Sequence, residues 1–155
     1  MGSKELGTGE WEALIFAPLW VYTAVAGAEG PPETSQFRRL TQELDDAHVR
    51  FGGSGAAGTT VETLRGNLDA LWAAYHAGGV DPQRGLKRTR GVLKRVPEAE
   101  GQAFVQWLVE LAVRIGESRH TVGQVMVSER ERRVIRDVAK WLGAPPPDLE
   151  ATTGE

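Results

Sequence analysis

Sixteen consecutive residues, Ala13 to Ala28, carry no charge, yet the run is bracketed by Glu10, Glu12 and Glu29. It falls short of the roughly 20 residues that cross a bilayer core, and its acidic flanks are the reverse of the Lys and Arg that favour a membrane anchor or signal peptide. Pro18 and the small residues Ala24, Ala26, Gly27 and Ala28 argue further against insertion. What remains is a helix that is apolar on all sides because neighbouring helices cover it. That requirement sets the class of fold. With 155 residues, 41% apolar and 25% charged, a single domain can supply the cover.

The covering helices are legible in the spacing of apolar residues. The central helix is expected from about Trp11 to Ala28, bent at Pro18, after a polar and disordered tail over residues 1–10. Gly30-Pro31-Pro32 breaks the chain, and Phe37, Leu40, Leu44, Ala47 and Phe51 then recur at three- and four-residue steps in a second helix, from about Pro32 to Arg50. Residues 52–58, Gly-Gly-Ser-Gly-Ala-Ala-Gly, read as a flexible connector, and Thr59 with Glu62 as the capping box of a third helix that ends at Gly78-Gly79. Asp81-Pro82 opens a fourth helix to about Val96. A fifth follows from Pro97 to Glu117, with Phe104, Trp107, Leu108, Leu111 and Ile115 on one stripe, and Ser128 with Glu131 caps a sixth that Gly143 ends. Pro145-Pro146-Pro147 begins a disordered, Pro-rich acidic tail over 144–155. No stretch alternates with period two, so the expectation is all-α: a single compact bundle of about six helices over residues 11–143.

Two of these helices end alike. Leu19 to Glu29 and Leu108 to Glu117 each run from an apolar stretch into glycine and then a carboxylate, and each is followed by a loop and a helix with acids in its first turn. This is an internally duplicated helix-loop-helix unit. With Gly27-Ala28-Glu29-Gly30-Pro31-Pro32-Glu33 in the first half, Val127 to Arg132 in the second and Ala139 to Gly143 at the close, the arrangement resembles the tellurite-resistance TerB-like family over most of Trp11 to Gly143. Members of that family are small helical domains with a duplicated helix pair, in which an apolar helix runs into Ala-Asp-Gly and the loop carboxylates are associated with metal. Here Glu29 stands where Asp is expected, and Gln124-Val125 stands where the second Asp-Gly would align.

Ca²⁺ or Mg²⁺ requires oxygens converging from several acids and carbonyls. Glu29, Glu33, Glu117, Glu129 and Glu131 would converge if the two units pack as a pseudo-twofold pair, although Glu in a first helical turn is also favoured by the macrodipole alone. The second candidate surface is basic. Arg84, Lys87, Arg88, Arg90, Lys94 and Arg95 fall within twelve residues of the fourth helix, enough for an acidic protein or for phosphates, but without an interleaved aromatic residue. Gly85 and Gly91 in the same helix predict intrinsic weakness relieved by a partner.

Other patterns fail on chemistry. Residues 53–60 have the glycines of a phosphate loop but Thr59 in place of its lysine. Asp45-x-x-His48 and Glu117-x-x-His120 lack the four facing helices of a di-iron site. The five tryptophans all fall in apolar stripes, which assigns them to packing. Cysteine is absent, in keeping with a cytoplasmic protein, and no nucleophile, base and oxyanion set is recognisable. A net charge of -3 offers no broad attraction to nucleic acid or anionic membrane. The expectation is a non-enzymatic cytoplasmic scaffold resembling TerB-like domains that binds another protein. The alternatives are a divalent-metal-binding stress-response domain and a nucleic-acid-associated subunit acting through residues 84–95.

Overall fold

Pro18 has no amide hydrogen for the Leu14 carbonyl, and the first expected helix divides beside it: α1 covers Thr8–Ile15 and α2 Ala17–Ala26, with Phe16 between them. The computed structural model describes residues 6–28, 30, 34–117, 120–121, 124–125 and 129–147. The remaining helices are α3 (Thr34–Phe51), α4 (Gly55–Gly66), α5 (Leu68–Ala77), α6 (Pro82–Leu93), α7 (Glu98–Glu117) and α8 (Glu129–Trp141). The bundle is all-α. Among the described residues, extended pairing is confined to His120–Thr121 with Gln124–Val125. None of the described helices is long and apolar enough to cross a membrane.

Among the described residues the expected six helices become eight segments because two of them break. The second break is at Asn67 (φ -136°, ψ 33°), which follows Gly66, so two poor helix formers end α4 and Asn67 Nδ2 donates to the Thr63 carbonyl at 3.0 Å. The connector over 52–58 is also shorter than expected. Gly52, Gly53 and Gly55 take left-handed backbone angles, and α4 starts at Gly55. A Cβ on Gly58 would lie 2.8 Å from the Gly53 carbonyl carbon, so this close return of the chain needs glycine. Thr59 and Glu62 consequently lie inside α4, not at its cap. The carboxylate of Glu100, on α7, serves the helix start by accepting from the Ala56 N–H at 3.1 Å. At the front of the chain α1 begins at Thr8, ahead of the expected Trp11, and Glu10 accepts from the Gly7 N–H at 2.8 Å.

The charge-free run is the centre of the molecule. Leu19, Val21, Val25 and Ala26 are fully buried, because α2 lies along α7 and is flanked by α6, α8, α1 and α3. In turn α8 rests on α2 and α3 on α7, so the two core helices each touch the other unit's second helix. The two helix endings are not equivalent. Gly27 caps α2, whereas Gly116 is buried within α7, which continues to Glu117. Five aromatic residues assemble where α5 crosses this core: Phe16, Trp20 and Tyr22 meet Trp72 and Tyr75 with ring centroids 5.5 to 6.4 Å apart.

Tyr75 anchors that cluster with its hydroxyl, which donates to the Leu19 carbonyl at 3.1 Å and meets Thr23 Oγ1 at 2.6 Å. Burial pushes its phenol from 10.0 up to about 12, with the Thr23 hydrogen bond acting in the opposite direction. The fold therefore favours the neutral phenol. Its contribution is complete below the unfolded value near pH 10 and is lost as pH rises toward the folded value. Thermal midpoints should fall steeply above about pH 10, and Tyr75→Phe should flatten that fall, leaving the smaller share from Tyr22, whose phenol burial also raises. An unchanged alkaline slope in Tyr75→Phe would contradict this origin.

Candidate functional site

The charge on α6 is divided between two faces of the helix. Asp81 caps its start by accepting from the Arg84 N–H at 3.2 Å, and Pro82 occupies the first turn, as the sequence implies. On one face Arg88 Nη2 donates to the Gly9 carbonyl at 2.8 Å and Arg95 pairs with Glu10. These two cations clamp the start of α1 and are structural. The neighbouring face carries Lys87, Arg90 and Lys94 at helical spacing. They line a cleft of about 590 Å³ with Gln83, Gly91 and, from α8, Lys140 and Trp141. Among the described residues none of these four cations has an ion-pair partner. Arg84 is exposed and does not line the cleft.

Packing of α8 beside α6 makes this one surface. Arg133 and Arg136 are exposed and lie on the same face of α8 as Lys140, extending the positive potential along that helix. The end of α8 is a Schellman turn, with Gly143 N–H donating to the Lys140 carbonyl at 3.0 Å and Ala144 N–H to the Ala139 carbonyl at 2.8 Å. Arg90 lies against it: a Cβ on Gly143 would be 2.6 Å from Arg90 Nε. A cation is favoured there by the helix dipole. Lys140 and Trp141, legible in the sequence only as part of a closing helix and its apolar stripe, join this surface from about fifty residues further along the chain. A cation and an aromatic residue next to Gly143 were the available signal.

The carboxylates expected at the loop ends have separate fates. Glu29, Glu33 and Ser128, with its capping box, lie outside the described residues. Glu129 is exposed, and Glu117 is half-buried at the last position of α7. Glu131 is fully buried and accepts from Gln36 Nε2 at 3.4 Å, while the same amide also donates to the Ile115 carbonyl at 3.5 Å. The start of α3, the end of α7 and the start of α8 are thus joined by a buried amide and carboxylate. Among the described residues no three His, Asp or Glu side chains gather as a metal site.

Gln36 had no mark in the sequence except its register. Gln36, Glu43 and Arg50 recur at seven-residue steps on α3, and each reaches α7: Glu43 accepts from Arg114 Nη1 at 2.9 Å and Arg50 Nη1 donates to Glu110 at 3.0 Å. The hydrogen bond to Glu43 raises the Arg114 pKa, with burial acting the other way. This seam sets the antiparallel register of α3 on α7. Of the isolated pairs, Asp45 bonds Arg65 at 2.6 Å rather than acting with His48. No protein-family model, curated protein or solved structure matches the chain.

Proposed function

We propose that the protein is a non-enzymatic helical binding module that docks an acidic partner protein on the joint face of α6 and α8. The observation carrying this reading is the cleft in which Lys87, Arg90, Lys94 and Lys140 converge without ion-pair partners among the described residues. Like charges gathered from two helices repel one another, and an anionic partner relieves that repulsion. The crosswise packing of α2, α3, α7 and α8 supports the duplicated unit and its resemblance to TerB-like scaffolds. The divalent-metal reading gains no support from the described carboxylates.

Trp141 favours one second reading. It brings an aromatic face to the cations, the combination by which proteins hold single-stranded nucleic acid. Fluorescence anisotropy with labelled polyglutamate and a labelled single-stranded oligonucleotide separates the two. Polyglutamate should bind at low salt, release as salt rises and lose about tenfold in affinity in Lys94→Glu/Lys140→Glu. Arg38→Glu, a charge reversal away from the cleft at an exposed arginine with no ion pair among the described residues, should have little effect. Equal loss in both variants, or no binding, overturns the proposal. Tighter binding of the oligonucleotide, dependent on Trp141, transfers the site to nucleic acid.

A further inference from the structure

A second concavity adjoins the cationic cleft and shares Arg90 and Lys94 with it. This groove, about 730 Å³, runs between the end of α6, the first part of α7 and the segment following α8. Its apolar surface comes from Leu93, Val105, Val109, Leu142 and Pro145. Along α7 it is lined from Glu98 to Glu110, about 18 Å at the helical rise.

We infer that this groove receives an amphipathic helix with an acidic flank, and that such a helix is the segment of the acidic partner that docks here; the inference rests on the cationic docking proposed above. The two rims of the groove differ in charge balance. On the α7 side Glu110 is matched by Arg50 at 3.0 Å and Glu98 accepts from Gln102 Nε2 at 3.0 Å. On the α6 side Arg90 and Lys94 have no ion-pair partner among the described residues. Two unmatched cations on the α6 side thus outnumber the one carboxylate without an ion pair on the α7 side, Glu98, so the net uncompensated charge is positive and lies at the α6 rim. An occupant with an apolar face toward Val105 and Val109 and carboxylates along one flank satisfies both features in one orientation.

The walls also select the backbone form of that occupant. Two of them are helices, whose own backbone groups are already bonded, and the short stretch Leu142 to Pro145 is no strand, so an extended peptide would find no strand edge to pair with. A helix brings its hydrogen bonds with it and needs only apolar anchors at three- and four-residue steps. The length offered by α7 accommodates about three turns.

Three labelled peptides of about 14 residues test this: an amphipathic helix with leucines on one face and glutamates on one flank, its scrambled isomer, and polyglutamate. The first should bind at least tenfold tighter than the other two, a gap of about 1.4 kcal/mol. Val105→Asn, which removes the apolar anchor without changing charge, should remove that advantage while leaving polyglutamate binding unchanged, and Arg90→Glu should weaken both. Amide shifts in the unsubstituted protein provide a readout independent of variant folding and should centre on Leu93, Val105, Val109 and Leu142. If all three peptides bind alike, the groove inference fails and cationic docking stands. If none binds, both fail. Shifts located away from the groove also overturn it.

Discussion

Alanine at Gly85 is expected to lower the unfolding free energy by about 2 to 3 kcal/mol, whereas alanine at Gly91, later in the same helix, should raise it by about 0.5 to 1 kcal/mol. Helix propensity alone assigns both substitutions the same favourable sign. The difference is the tertiary neighbour. A Cβ on Gly85 would overlap the indole of Trp20, whereas one on Gly91 meets nothing within 4 Å. Trp20 is only 8% exposed and held edge-on by Phe16 at 5.9 Å, so the ring has nowhere to retreat without parting α6 from α2. Urea unfolding of the two variants decides the matter. Equal, positive shifts would mean that α6 does not seat on Trp20.

Arg114→Ala is expected to destabilise by about 2 kcal/mol, less than the loss of a partner from a fully buried pair because the guanidinium is itself half-exposed. Its effect is exerted through Glu43, whose side chain is 3% exposed and, among the described residues, would keep only Arg39 at 3.7 Å, a weak i,i+4 contact. The damage is thus a stranded carboxylate between α3 and α7. Adding Glu43→Leu should recover most of the loss, since replacing both partners removes the unmet charge that replacing one creates. A double variant no better than Arg114→Ala would place the effect in lost packing of the arginine stem instead.

Both outcomes bear on what a reader of this chain can infer. The apolar stripes locate nearly every helix because 3.6-residue periodicity is a local property, set by which face must leave water. A bend at Pro18 was legible for the same reason, since the missing amide hydrogen is a property of the residue itself, but not that the helix would divide there. The Gly66-Asn67 break and the early start of α4 were harder to read. The first competes with the strong apolar stripe from Val61 to Tyr75, and the second depends on Glu100 arriving from another helix.

The candidate site divides along the same line. The six cations of residues 84–95, on α6 and just beyond its end, are visible as a cluster, but their roles are not. Arg88 and Arg95 are committed to α1, while Lys87, Arg90 and Lys94 turn toward α8 and acquire Lys140 and Trp141. Likewise Glu131, read as a helix cap and possible metal ligand, is buried against Gln36. Charge patterning along one helix cannot distinguish a clamp from a docking face, since the assignment depends on which neighbour each face meets.

By itself the sequence determined the class of fold: an uncharged run too short for a bilayer must be surrounded by amphipathic helices, and hydrophobic burial leaves no other arrangement for it. Tertiary structure alone decided that Gly85 is a seat for an indole rather than a weak point, and that basic residues from two distant helices form one surface. Packing sets those relations through distances between atoms remote in the chain, and local pattern carries no record of them.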